Sequence, residues 1–195
     1  MPGSPFRILV VCTGNICRSP AADLLFVADL DGDERFEVGS AGTQAMAGWP
    51  VSPPMAALLA ERGIRSDGFV ARQATRALLA ESDLILTATR EHREWVTAHD
   101  PRTIRRAFTM TEFSEALRAP GHVDPATLTA PELVAWATSH RPHPRLAGRG
   151  AVVRRGYVDG DILDPYGRGD AAYISSLTQI EPLTAAIAEA LRSTR

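Results

Sequence analysis

The chain has 195 residues, 45% of them hydrophobic and 23% charged, which suits one domain with a sizeable core. A formal net charge of −2 argues against nucleic acid as a partner. The basic residues are all arginines, which excludes a Schiff-base or nucleophilic lysine. The two cysteines share one short stretch, so neither a disulfide scaffold nor a four-cysteine zinc site is available.

Residues 6–12 read as a buried parallel strand, a brief β-branched run without alternation. Residues 18–30 read as a helix, with Ala21, Leu24, Leu25 and Ala28 at helical spacing. Phe36-Glu37-Val38 makes a second short strand before the small-residue turn Gly39-Ser40-Ala41-Gly42-Thr43. The glycine and prolines of 44–54 mark a loop, 54–62 a helix stopped by Gly63, and 74–81 another short helix. Residues 83–88 form a third strand, 90–98 the helix after it, and 106–110 a fourth strand. One helix is expected at about 131–140, followed by a basic, proline-containing loop, and a long helix at 170–192 with an interruption near Pro182. Strands alternating with helices predict a parallel sheet covered on both faces, with ligands at the carboxyl ends of its strands.

Cys12 closes the first strand, and Arg18 stands five residues beyond Cys12's neighbour Thr13, at the start of the following helix. A strand-to-helix loop of this kind wraps a tetrahedral oxyanion with its N–H groups and the helix N-terminus. The Arg18 fork can grip two oxygens, and the same positive field favours the thiolate of Cys12. A thiolate beneath a bound phosphoryl group is a nucleophile aimed at phosphorus. Such a site also needs an acid for the leaving oxygen, and Asp164 in Ile162-Leu163-Asp164-Pro165-Tyr166-Gly167 supplies a candidate.

These residues resemble a low-molecular-weight protein tyrosine phosphatase. The matching stretches are Cys12-Thr13-Gly14-Asn15-Ile16-Cys17-Arg18-Ser19, Ser40-Ala41-Gly42-Thr43, Ala71-Arg72-Gln73, Asp83-Leu84-Ile85-Leu86 and Asp164-Pro165-Tyr166-Gly167. The resemblance implies one flavodoxin-like α/β domain over 1–195, a four-stranded parallel sheet flanked by helices with order 2-1-3-4. Residues 114–160 match poorly and read as an insertion. The implied reaction is hydrolysis of a phosphotyrosine protein or a small aryl phosphate through phosphocysteine. Cys12 would be the nucleophile, Arg18 the oxyanion ligand and Asp164 the general acid and base. Thr13, Gly14, Asn15, Ile16, Cys17 and Arg18 would bind phosphate. Asn15 would hold the loop, in a left-handed conformation that asparagine tolerates. Ser19 would donate to Cys12, Ser40 would brace the loop, and Trp49 and Tyr166 would line the substrate pocket. No metal or other cofactor is required, because backbone dipoles and Arg18 carry the charge.

Cys17 has two readings: a small buried loop residue, or a partner that traps oxidised Cys12 as a disulfide. Trp49 likewise reads as pocket wall or as a packing or surface residue, and Trp95 and Trp136 as packing residues. Ser52-Pro53 stands where many relatives carry Asp-Pro, so a supporting carboxylate is missing. The arginines of the insertion suit a solvated face better than an acidic partner. The five histidines, His92, His99, His122, His140 and His143, show no ligand spacing.

Two rivals stand beside the phosphatase: an arsenate reductase on the same scaffold using an external small thiol, and a silent phospho-ligand binding module. Ahead of Cys12 lies a single arginine and an apolar run too short for a signal-peptide core or a membrane span. The expectation is a cytoplasmic monomer that binds neither membrane nor nucleic acid.

Overall fold

The computed structural model describes residues 4–119, 123–141 and 160–195. Its elements run β1 (Phe6–Cys12), α1 (Arg18–Asp29), β2 (Phe36–Gly42), α2 (Pro53–Ala60), α3 (Arg76–Glu81), β3 (Leu84–Thr87), α4 (Arg90–His99), β4 (Ala107–Thr109), α5 (Met110–Leu117), α6 (Ala130–Ser139) and α7 (Asp170–Arg192). The four strands form one parallel sheet in the order β2-β1-β3-β4. The expected architecture and strand order are the observed ones.

The absence of alternation in β1 has a direct cause: both faces of the strand are covered. Ile8, Val10 and Cys12 join the larger core with Phe26, Met55, Phe113 and Leu177, drawn from α1, α2, α5 and α7. Leu9 and Val11 face the opposite way, onto Ala41, Leu79, Ile85 and Val96. The chain leaves β1 for β2 on one side and returns to β3 on the other, so the crevice of the sheet opens at the end of β1. Cys12 occupies that point, paired in register with Gly42 of β2.

Three local readings need correction. The turn expected at 39–43 is largely strand, since β2 continues to Gly42 along the whole of β1. The fourth strand passes without a turn into α5, a helix the sequence reading does not contain. Thr109 ends β4 and caps α5: its hydroxyl accepts from Glu112 N–H at 3.0 Å, and Glu112 Oε2 accepts from Thr109 N–H at 2.9 Å. The interruption near Pro182 does not occur. A proline inside a helix costs about 3 kcal/mol, but Leu177, Ile180, Ile187 and Leu191 are buried on both sides of it and hold α7 straight through.

The helix expected at 131–140 is α6, displaced by one residue. Arg141, just after it, lays its guanidinium 4.0 Å over the Phe108 ring and donates to Ala107 O at 3.0 Å. That carbonyl points away from β3, so the arginine covers the free edge of the sheet. The rest of the basic loop expected after that helix, from 142 to 159, lies outside the described residues.

Candidate active site

The loop from Cys12 to Arg18 is held from outside by its carbonyls. Thr43 N–H donates to Cys12 O (2.8 Å), Gln44 N–H to Thr13 O (3.0 Å), Met46 N–H to Gly14 O (2.9 Å) and Ser52 N–H to Ile16 O (2.8 Å). A loop whose carbonyls are drawn outward presents its N–H groups to the inside, which is the geometry of an anion nest. Gly42 makes the close approach possible, because a Cβ there would run into the Thr13 carbonyl.

Asn15 is the internal pin. Its φ of 55° lies in the left-handed region, as expected, and its side chain is fully buried. The amide Nδ2 donates to Ser19 Oγ at 2.9 Å and to Ser40 Oγ at 3.0 Å, while Oδ1 accepts from Arg72 N–H at 2.9 Å. Ser19 Oγ lies 3.0 Å from Cys12 Sγ. With its oxygen accepting from Asn15, Ser19 has its own hydrogen to give to the sulfur. On the far side Ser40 donates to Asp23 Oδ2 at 2.9 Å. A chain of four hydrogen bonds therefore runs from Asp23 through Ser40, Asn15 and Ser19 to Cys12. Burial pushes the Asp23 carboxyl up to about 6, against the lowering effects of Ser40 and of the Arg72 charge.

Arg18 is 4% exposed and lies under the mouth of the loop. Nη2 pairs with Asp164 Oδ2 at 2.8 Å and donates to Thr13 Oγ1 at 3.3 Å; Nη1 reaches Ile162 O at 3.4 Å. Nε is buried and has no hydrogen-bond partner among the described residues. A guanidinium with one committed edge and one orphaned N–H is suited to a bidentate oxyanion. The segment bearing Asp164 is pinned to the sheet by Ile162 N–H to Ala88 O and by Arg90 N–H to Asp161 Oδ1, both at 2.9 Å.

Both cysteines are free and buried. Cys17 Sγ lies 3.1 Å from Ser52 Oγ and within 3.9 Å of the Tyr173 hydroxyl, and burial pushes its thiol above the usual range. Ser52, where a carboxylate was missed in the sequence, thus anchors the loop twice, through Ile16 O and Cys17 Sγ. Trp49 and Tyr166 are more than half exposed, on the segment that clasps the loop and two residues after Asp164 respectively. Trp95 and Trp136 stack on His99 and His140 one turn further along their helices. Among the described residues no three His, Cys, Asp or Glu side chains gather as a metal set. His122 and His143 lie outside those residues.

Several supporting residues carried no role in the sequence reading. Arg72 and Gln73 are among them. Arg72 Nε donates to Ser40 O at 2.8 Å, across Gly39, where a Cβ would clash with the guanidinium. Gln73 holds Thr43 O and Ala45 N–H. His92 bonds Thr13 at 2.8 Å. Asp23 and His92 have no sequence signal beyond being polar residues on helices whose other face is apolar.

A parallel four-stranded α/β sheet with a thiol and a buried guanidinium at the two ends of its first strand-to-helix loop narrows the class of protein sharply. The chain belongs to the low molecular weight phosphotyrosine protein phosphatase family, whose pattern matches residues 7–135. It is 35% identical over 108 residues to the probable low molecular weight protein-tyrosine-phosphatase EpsP of Ralstonia nicotianae, covering 55% of this chain and 72% of that protein. Among solved structures it resembles the YwlE arginine phosphatase of Geobacillus stearothermophilus, with TM-score 0.68, 26% identity, and 95% and 92% of the two chains covered. The tyrosine phosphatase AmsI of Erwinia amylovora shares the fold with TM-score 0.68 at 24% identity, over 98% and 96% of the chains.

Proposed function

We propose that the protein hydrolyses phosphotyrosine, or a related aryl phosphate monoester, through a phosphocysteine on Cys12. One observation carries this reading: the buried Arg18 keeps an orphaned Nε beside the loop while its Nη2 holds the carboxylate of Asp164. The oxyanion takes the Arg18 fork and the N–H groups of Thr13 to Arg18. Cys12 Sγ attacks phosphorus in line as the phosphorus–oxygen bond to the phenol breaks. Asp164 gives the departing oxygen its proton, then removes one from the water that attacks phosphocysteine and releases inorganic phosphate. Ser19 and Asn15 steady the thiolate, Ser40 braces Asn15, and Trp49 and Tyr166 offer flat apolar faces to a phenyl ring.

The two rival readings are not favoured. An arsenate reductase using an external small thiol has no leaving phenolate to protonate, whereas Asp164 stands paired with Arg18 at the mouth of the loop, as an acid for a phenol would. The loss of turnover that a silent module implies sits badly with Cys12, Arg18 and Asp164 together. Under peroxide we expect Cys12 to pass to sulfenic acid, and the Cys17 thiol to expel that oxygen as water and form a disulfide. We read residues 114–160 as an addition to the family domain; the family match runs to residue 135 and so covers the first part of that segment. No helix among the described residues is long and apolar enough to cross a membrane. A cytoplasmic monomer is the setting we propose.

The test is turnover of para-nitrophenyl phosphate, a phosphotyrosine peptide and a phosphoarginine peptide between about pH 5 and 8, beside Cys12→Ser and Asp164→Asn. Aryl phosphate turnover that vanishes in the first variant and falls sharply in the second is the expected result. Preference for phosphoarginine would replace the substrate. An inert, fully reduced wild type would remove the reading altogether.

A further inference from the structure

His92 lies on the first turn of α4, behind the loop, and is buried. Both ring nitrogens are engaged. Nε2 stands 2.8 Å from Thr13 Oγ1, and Nδ1 stands 2.8 Å from the hydroxyl of Thr89, the N-cap of α4. Thr13 Oγ1 also accepts from Arg18 Nη2 at 3.3 Å. Four side chains thus connect the end of β3 to the guanidinium of the site. Arg90 N–H, two residues earlier on the same turn, holds Asp161 and with it the segment of Asp164. The start of α4 therefore braces the loop and the acid from a single turn.

Burial, with a further push from the Arg18 charge, brings the His92 imidazole down to about 3, so the ring is neutral and has one donor and one acceptor. Thr89 Oγ1 already accepts from His92 N–H at 3.3 Å. With the ring proton on Nε2, Thr89 gives its hydroxyl hydrogen to Nδ1 and both partners are satisfied. Thr13 Oγ1 then accepts from His92 and from Arg18, and its own hydrogen is spare, one residue after Cys12. With the proton on Nδ1 the spare hydrogen would sit at the helix cap and Thr13 would spend its own on the ring. A spare donor is useful beside a bound oxyanion and wasted at a cap whose backbone bond is already made.

We infer that His92 is a positioning residue of the oxyanion site: protonated at Nε2, it fixes Thr13 Oγ1 as a double acceptor, steadies Arg18 through it, and turns the Thr13 hydroxyl hydrogen toward the phosphoryl group. The inference rests on the phosphatase reading above. His92→Gln keeps an N–H near the position of Nε2, whereas His92→Asn falls short of Thr13, and Thr13→Val removes the hydroxyl alone. Calorimetric binding of inorganic phosphate is the readout, since it does not depend on turnover. His92→Asn and Thr13→Val should each weaken phosphate about tenfold, His92→Gln should recover most of that, and the His92→Asn/Thr13→Val double variant should be no weaker than Thr13→Val alone. Long-range proton–nitrogen NMR of the unliganded wild type should report hydrogen on Nε2 and a bare Nδ1. Hydrogen on Nδ1, fully additive losses, or wild-type phosphate affinity in His92→Asn would each overturn the inference. Should His92→Asn fail to fold, the wild-type tautomer and the His92→Gln affinity still decide. A wild type that binds phosphate yet turns over no phosphate ester defeats the phosphatase reading instead, and leaves this cycle to be judged by itself.

Discussion

Arg18 Nη2 lies 2.8 Å from Asp164 Oδ2, so the residue we propose to grip the oxyanion and the residue we propose to move the proton hold each other. The arginine side chain is 5% exposed and the aspartate 43%, and Asp164 Oδ1 also accepts from Tyr166 N–H at 3.2 Å. On the proposed mechanism an incoming phosphate would compete with Asp164 for the same N–H and release the acid toward the leaving oxygen. Asp164→Asn removes both the competitor and the proton donor. It should lower kcat on aryl phosphates by about 10²–10⁴ while inorganic phosphate binds roughly fivefold tighter, one nearby negative charge having been removed. Steady-state kinetics paired with calorimetry would separate the two effects. Unchanged or weaker phosphate binding would mean that the ion pair does not compete with the ligand.

Asn15 combines a left-handed φ with three side-chain hydrogen bonds, and the two contributions can be separated. Asn15→Ala keeps neither, and leaves Arg72 N–H and the Ser40 hydroxyl short of partners. Asn15→Gly restores the backbone freedom alone. Alanine should lower stability by about 2–4 kcal/mol and glycine by about 1 kcal/mol less than that, read from urea midpoints at constant slope. Equal losses would show that the left-handed backbone carries no strain in this loop.

How far the sequence could be read depended on whether a contact was local. Ile8-Leu9-Val10-Val11 declares a buried parallel strand because every residue is apolar, and Cys12 and Arg18 declare their loop because both ends lie on one strand-to-helix turn. Helix α5 went unread although Thr109-x-x-Glu112 is a capping box, because Thr109 serves β4 as well and no glycine or proline separates the two elements. Pro182 misled for the opposite reason: a local helix breaker is overruled by burial along both halves of α7. His92 stands amid Arg90-Glu91-His92-Arg93-Glu94, a run that reads as a solvated helix face. Only the pairing of β1 with β3 brings that turn behind Thr13. Asp23 meets Ser40 for the same reason, through the packing of α1 on β2.

Asp23 gives the stability a pH dependence whose sign is fixed. Its carboxyl moves from an ordinary 3.8 to about 6 on burial, so between those values the folded chain holds a proton that the unfolded chain has released. The stabilising contribution is fully present below about pH 4 and is lost as pH rises through 6, to a total of roughly 3 kcal/mol. Asp23→Asn keeps an acceptor for the Ser40 hydroxyl and cannot ionise. The variant should therefore gain on wild type progressively from pH 4 to 6.5, reaching about 2–3 kcal/mol, with a constant difference above that. Denaturant titrations of both proteins across this window give the difference directly, free of other titrating groups such as His92. A difference independent of pH would show that Asp23 is ionised throughout.

Ser19 offers the most direct reading of how the thiol is prepared. Its oxygen accepts from Asn15 Nδ2, Cys12 Sγ at 3.0 Å is a nearer acceptor for its hydrogen than Ala41 O at 3.5 Å, and a hydrogen bond to a charged sulfur is worth about 1.5–3 kcal/mol. Ser19→Ala should slow alkylation of Cys12 by iodoacetate at neutral pH by about tenfold or more. Cys17, whose thiol burial pushes up, is a poor competitor for the reagent and leaves the rate to Cys12. Turnover of the phosphocysteine should slow as well, since Cys12 leaves as the thiolate that Ser19 stabilises. A Ser19→Ala protein whose alkylation keeps the wild-type rate would assign the sulfur's activation to the loop amides alone.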